Sequence, residues 1–282
     1  VNGAFSERFR DLVRDCGREV QTYEAAMGHA HTPDEVFRRL RAGGFDAVTV
    51  VHSETSTGVL DPLVEIADAV RRAETETGEE ILLLVDGVTS VGGMLVEAET
   101  WGIDFLLTGS QKAMALPPGL AFGAASERMM DRARTLPGRG QYFDLIEFDA
   151  YWRKHQTPNT PAVSLLYALA AQAERIAAEG VEARALRHWT MAERTWTWVE
   201  EHGPRWGLSL FAPPGRRSPT VTTIAVDGKP GTEFCAGMTA RGWTLGTGYG
   251  KLKDSTFRIG HMGDHTVDEL DALLAALEEV LG

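Results

Sequence analysis

Three polar runs, each standing directly behind an apolar one, hold most of the residues able to do chemistry. His52-Ser53-Glu54-Thr55-Ser56-Thr57-Gly58 follows Ala47-Val48-Thr49-Val50-Val51. Asp86-Gly87-Val88-Thr89-Ser90 follows Ile81-Leu82-Leu83-Leu84-Val85, and Thr108-Gly109-Ser110-Gln111-Lys112 follows Ile103-Asp104-Phe105-Leu106-Leu107. Each run alone has an ordinary reading, since loops are polar and most lysines are solvated surface charges. Together they bring an acid, several hydroxyls and a lysine to one edge. Lys112 sits between an apolar strand and Ala113-Met114-Ala115-Leu116-Pro117-Pro118. An ammonium there is desolvated and its pKa falls, which suits Schiff-base chemistry. Asp86 ends a strand too apolar to be exposed, and a buried carboxylate needs a partner; a protonated pyridine nitrogen serves. Ser110, with the Gly109 turn, can offer hydroxyl and backbone donors to a phosphate. Lysine for an aldehyde, aspartate for a ring nitrogen and hydroxyls for a phosphate are the set that pyridoxal phosphate requires.

These residues must be carried by strands whose carboxyl ends share an edge. The three apolar runs read as buried strands, with a fourth at Gly119–Gly123. In open α/β sheets ligands gather at the carboxyl ends. Asp61-Pro62 offers an N-cap and a first-turn proline for a helix that runs to Thr77 and stops at Gly78, and Thr32-Pro33-Asp34 starts another that Gly43-Gly44 ends. The rhythm predicts an α/β layer with a mainly parallel sheet. After Leu136 the texture changes. Helices are expected over 161–178, 182–202 and 232–241, and strands over 220–226 and 256–259. A closing helix carries a Thr266/Glu269 capping box. That half reads as α+β, so residues 1–140 are expected to form a large domain and 141–282 a small one.

Composition narrows the classes. The 282 residues carry 28 Lys and Arg against 40 Asp and Glu, a net charge of −12. So acidic a chain is a poor partner for nucleic acid or an anionic membrane surface, and no apolar run approaches the ~20 residues that span a bilayer. Two cysteines, Cys16 and Cys235, give no disulfide framework or thiolate metal site and fit a reducing, cytoplasmic setting. His52, His261 and His265 lack metal-ligand spacing, so no metal is expected. Gly246-Thr247-Gly248-Tyr249-Gly250-Lys251 lacks P-loop spacing and reads as a small-domain loop. Cys235 lies in a helical stretch and reads as a small buried residue rather than a nucleophile.

Val85-Asp86-Gly87-Val88-Thr89-Ser90-Val91-Gly92-Gly93, Trp101-Gly102-Ile103-Asp104, and Gly109-Ser110-Gln111-Lys112 with Pro117-Pro118-Gly119-Leu120 closely resemble the class V pyridoxal phosphate aminotransferases. The alanine–glyoxylate / serine–pyruvate branch is also matched by His52–Gly58 and by Phe257-Arg258-Ile259-Gly260-His261-Met262-Gly263. The resemblance spans nearly the whole chain. It implies a fold-type I transferase, active as a homodimer with sites at the interface. Such an enzyme moves an amino group from a small amino acid, alanine or serine, to a small 2-oxo acid, glyoxylate or pyruvate. It implies that Lys112 binds the cofactor and shuttles the α-proton, and that Asp86 pairs with the ring nitrogen. Val88 would lie against the ring and Thr55 near its phenolic oxygen. Gln111 and the partner subunit's Thr160 would contact the phosphate, and Arg258 would hold the substrate carboxylate in a bidentate grip.

The family's interface arm, glycine-rich phosphate turn and ring-stacking aromatic have no match here. Asn2-Gly3-Ala4-Phe5-Ser6-Glu7-Arg8-Phe9 resembles the stretch after the family's second large-domain strand. The resemblance therefore implies a chain that begins inside the fold, short of roughly the first quarter, with sheet edges left open. Two alternatives stand beside the aminotransferase: a lyase or desulfurase of the same fold, and a non-catalytic truncated remnant acting as a binding module.

Overall fold

The computed structural model describes all residues from Val1 to Gly282. Helices α1 (Ala4–Asp15) and α2 (Pro33–Leu40) come first, then β1 (Ala47–Val51), the short hairpin strands β2 (Ser53–Glu54) and β3 (Val59–Leu60), and α3 (Leu63–Thr77). β4 (Leu82–Asp86), β5 (Phe105–Gly109) and β6 (Ala121–Ala125) complete the first sheet, in the order β1-β4-β5-β6. β1, β4 and β5 run parallel, while β6 is antiparallel to β5 and largely exposed along its length. The sheet is thus mainly parallel, as the strand–helix rhythm predicts.

α3 shows why the layer holds. Leu63, Ile66, Ala67, Val70 and Ala73 recur at helical spacing and are all buried. They pack with Val50, Leu83, Val85 and Ile103 into one core. Gly78 ends the helix in the left-handed region, at φ 71°. The start differs from expectation. Pro62 rather than Asp61 occupies the cap position. The Asp61 carboxylate instead accepts hydrogen bonds from the His31 backbone N–H and Nδ1, at 2.7 and 2.8 Å, and from Asn2 Nδ2 at 3.3 Å. A long-range pairing has outbid the local cap, which only tertiary contact can reveal.

The rest of the chain comprises α4 (Glu127–Thr135), α5 (Leu145–Trp152), α6 (Val163–Glu179), α7 (Val181–His202), β7 (Leu208–Leu210), β8 (Val221–Val226), α8 (Gly231–Thr239), β9 (Gly246–Thr247), β10 (Thr256–Gly260) and α9 (Val267–Leu281). The second sheet has the order β7-β8-β10-β9 and is antiparallel throughout. Its core gathers Met191, Val199, Ile224, Phe234, Phe257, Ile259, Leu274 and Leu277. α9 opens with the Thr266/Glu269 capping box. No helix is long and apolar enough to cross a membrane.

The two sheets are joined by hydroxyls rather than by a shared apolar core. Ser53 Oγ and Ser218 Oγ lie 2.8 Å apart, Ser218 Oγ is 3.0 Å from Thr220 Oγ1, and Thr220 Oγ1 donates to the Thr89 carbonyl at 2.7 Å. Gly93 permits this approach, since a Cβ there would stand 2.4 Å from Thr220 Cγ2.

Candidate active site

β4 ends on Asp86, whose backbone is flanked by Val51 of β1 and Leu107 of β5. The chain then turns sharply, and Val88 N–H donates to Asp86 Oδ1 at 2.8 Å. Oδ2 has no protein partner. Burial raises the Asp86 pKa; the Val88 N–H opposes this, the Glu54 charge adds to it, and Lys112 opposes it. Lys112 stands in the turn after β5. Its ammonium makes no hydrogen bond or ion pair, and its pKa is lowered, first by burial and then by the Arg258 charge, with Asp86 opposing. The cleft therefore contains an amine biased towards its uncharged form and a carboxyl biased towards holding a proton, each within electrostatic reach of the other.

Arg258 enters from β10 of the second sheet. Nε donates to the Thr247 carbonyl at 3.0 Å and Nη1 to the Thr55 carbonyl at 3.2 Å. These bonds fix the guanidinium plane across the two halves. They leave Nη2 and the second Nη1 proton free for an end-on carboxylate. Thr55 is buried, with Oγ1 2.5 Å from Thr89 Oγ1. Val88 is half-buried beside Asp86.

The remaining sequence-predicted residues are placed less centrally. Ser110 is fully buried; its hydroxyl donates to the Pro117 carbonyl at 2.7 Å and accepts from Leu120 N–H at 3.2 Å. Its one proton is thus committed to the loop that follows Lys112. Gln111 is exposed and makes no protein hydrogen bond. Thr160 lies on the exposed stretch between α5 and α6, with no hydrogen bond to the cluster.

Three residues that sequence reasoning did not assign turn out to hold the site together. Glu54 is wholly buried, and its carboxylate accepts from Phe5 N–H, Ser6 N–H, Ser6 Oγ, Ser56 N–H and Ser56 Oγ at 2.6–3.3 Å. It satisfies the open amides at the start of α1, where negative charge is favoured. Gly3 leaves room for it, since a Cβ there would stand 2.4 Å from Glu54 Cγ. Arg184, 3% exposed, donates to the carbonyls of Gly92 and Ala113 at 3.2 and 2.8 Å, and to Glu179 and Asp264 at 2.7 and 2.9 Å. It grips both the turn after Asp86 and the residue after Lys112. His188 donates from Nδ1 to the Arg184 carbonyl at 2.6 Å and accepts from Gly263 N–H at 2.9 Å. The only advance signal was Glu54's place in a run of hydroxyl residues; Arg184 and His188 read as ordinary polar positions on a helix. A cavity of about 260 Å³ lined by Arg175, Glu179, Arg184, Arg187 and Asp264 adjoins this network. Its charges are paired with one another.

The donor set suits pyridoxal phosphate. It has one unpaired amine for an aldehyde and one unpaired carboxylate oxygen for a ring nitrogen. Comparison with known proteins agrees. The class-V aminotransferase profile matches residues 4–242. An uncharacterized aminotransferase of Methanocaldococcus jannaschii is 36% identical over 100% of this chain and 72% of its own. A serine–glyoxylate aminotransferase of Methylorubrum extorquens is 34% identical over 96% of this chain and 68% of its own. The crystal structure of an alanine–glyoxylate aminotransferase from Nostoc sp. superposes with a TM-score of 0.91 at 30% identity, covering 100% of this chain and 74% of that one. Cysteine desulfurase from Thermococcus onnurineus, at 18% identity and a TM-score of 0.74, shares the fold alone. The chain therefore belongs to the class-V aminotransferases, fold-type I transaminases whose cofactor is pyridoxal phosphate.

Proposed function

We propose that the chain transfers an amino group from a small amino acid, alanine or serine, to a small 2-oxo acid, with Lys112, Asp86 and Arg258 as its working residues. The observation that carries this reading is the unpaired Lys112 amine within electrostatic reach of both Asp86 and Arg258. Glyoxylate leads pyruvate as acceptor, because two of the similar proteins, from Methylorubrum extorquens and Nostoc sp., have glyoxylate in their names. When bound, pyridoxal phosphate supplies an aldehyde for the migrating amino group and a ring that spreads the electron pair left when the α-proton departs. Lys112, its pKa lowered by burial and the Arg258 charge, takes that proton and returns it. Asp86 would hold a proton at the ring nitrogen, and Val88 would flank the ring. Thr55 would lie by the phenolic oxygen. Gln111 and the partner subunit's Thr160 would contact the phosphate, while Ser110, its hydroxyl bonded to the Pro117 carbonyl, acts through the loop it braces. Arg258 holds the carboxylate that every donor and acceptor carries.

The reading extends to a cytoplasmic homodimer, with a large domain over 1–140 and a small one over 141–282. The two separate cores support that division. A desulfurase reading is weakened at Cys235, which is buried in α8 with its thiol pKa raised by that burial, the reverse of an activated nucleophile. Borohydride reduction of the holoenzyme followed by peptide mapping tests the assignment. The pyridoxyl group is expected on Lys112, and a label on any other lysine overturns it.

A further inference from the structure

Tyr249 is a large aromatic residue left 42% exposed, with no hydrogen-bond partner for its hydroxyl. Packing does not account for it, but its neighbours do. The Arg258 guanidinium carbon lies 5.8 Å from the centre of its ring. The same loop supplies the Thr247 carbonyl that fixes Arg258 Nε. Behind Tyr249 stands Phe5 of α1, with ring centres 5.0 Å apart and planes 25° from parallel. Lys251 pairs with Glu7 of the same helix at 3.2 Å. Thr247 pairs with Phe257 in the sheet, and Thr256 Oγ1 donates to the Leu252 carbonyl at 2.9 Å. The loop is thus pinned on both sides, and the ring is a preorganised wall with few rotatable bonds.

We propose that Tyr249, backed by Phe5, sets the upper size of the substrate side chain. The inference rests on Arg258 as the carboxylate partner. With Nε and one Nη1 proton committed, a carboxylate must dock on the free end of the guanidinium. That brings its α-substituent alongside the ring that flanks the same guanidinium. A hydrogen or methyl group fits beside the ring; a branched or aromatic group meets it. Discrimination by excluded volume in an apolar contact is worth about tenfold or more per added group.

The test uses two unreactive carboxylates, propanoate and 3-phenylpropanoate, bound to the holoenzyme and followed by calorimetry. The native protein is expected to prefer propanoate by at least about tenfold. Tyr249→Ala should erase most of that preference, chiefly by tightening 3-phenylpropanoate. Tyr249→Leu keeps apolar contact with Phe5 but shortens the wall, and should shift the ratio the same way by a smaller factor. Tyr249→Phe should leave it unchanged. With alanine and phenylalanine as donors, the kcat/KM ratio should follow the binding ratio. If Arg258→Gln weakens both carboxylates while Tyr249→Ala and Tyr249→Leu leave their ratio unchanged, the size filter is wrong and the Arg258 assignment survives. If Arg258→Gln leaves propanoate binding intact, both fall.

Discussion

Two cations taken out of water flank Ala113. Lys112 precedes it and has no partner; Arg184 reaches its carbonyl from α7 and has four acceptors for its N–H groups. The difference separates structural charge from chemical charge. A buried guanidinium cannot shed its proton, so it persists where its donors are met, as four of the five N–H groups of Arg184 are. A buried ammonium can, and with no acceptor in reach Lys112 answers burial by lowering its pKa. The protein spends its hydrogen-bonding capacity on holding the Ala113 carbonyl and leaves the neighbouring amine free for a ligand. Asp86 and Glu54 repeat the contrast among the acids, one with a single N–H donor and the other with five donors.

Removing each cation in turn gives the sharpest separation. Lys112→Ala should lower turnover by about 10³-fold or more, the upper range for losing a positioned acid–base group. It should not lower the melting temperature, because no native hydrogen bond or ion pair is lost. Appreciable residual turnover, or a destabilised fold, would break the contrast.

Arg184→Leu should act the other way. It strands two backbone carbonyls and removes one partner each from Glu179 and Asp264. The expected cost is about 3–5 kcal/mol, read by urea unfolding. Arg184→Lys should recover little of it, because one ammonium cannot span carbonyls that a planar fork reaches in different directions. A loss below about 1 kcal/mol would place Arg184 among ordinary surface pairs.

The buried histidines extend the comparison to pH. His52 and His188 have pKa values lowered to about 4 and His261 to about 3, in each case chiefly by burial. His261 donates to the Pro219 carbonyl from Nδ1 and accepts from Thr222 Oγ1 at Nε2, so like His188 it is held neutral. In the unfolded chain these rings take up protons below about 6.5, while in the folded one they do not until near pH 4 or lower. The unfolded state therefore binds more protons in that window. The stability these rings contribute is present above pH 6.5 and is lost as pH drops towards 4, by up to ~1.4 kcal/mol per pH unit for each ring. Between pH 6 and 5, His188→Gln should remove one ring's worth of that slope. An unchanged slope would mean that His188 is charged in the native protein.

The strands were legible because apolar runs of β-branched and leucine residues have one use in a chain of this composition, and the polar residues behind them had to fall at one edge. Lys112 and Asp86 could therefore be put at one edge before any contact was known, whereas Arg258, on a strand of the second sheet, came only through the family resemblance. The Asp61 cap failed because His31 and Asn2 lie far from it in sequence. Glu54's partners at the start of α1 and Arg184's grip on Ala113 are likewise tertiary. A helical arginine looks the same in sequence whether it meets water or a carbonyl. Tyr249 was hidden differently: its loop was recognised as a loop, but only the Phe5 stack and the nearby guanidinium show what it faces.

The smallest effect expected concerns the segment that both cations share. Ala115 has φ 55°, in the left-handed region, and its N–H donates to the Lys112 carbonyl at 2.9 Å. An alanine there carries about 1–2 kcal/mol of backbone strain. Ala115→Gly relieves it but gives back about 0.4–1 kcal/mol through the freer unfolded chain. The net gain should be under about 1 kcal/mol, seen as a slight rise in melting temperature. Turnover should stay within about twofold of native, because Arg184 and Ser110 brace this loop from either end without help from Ala115. Ala115→Val, a branched residue forced to positive φ, should destabilise instead. If Ala115→Gly raises the melting temperature but cuts turnover well beyond twofold, the strain itself aims Lys112. The division between a braced Arg184 side and a free Lys112 side would then have to be redrawn, with Ala115 as the residue that joins them.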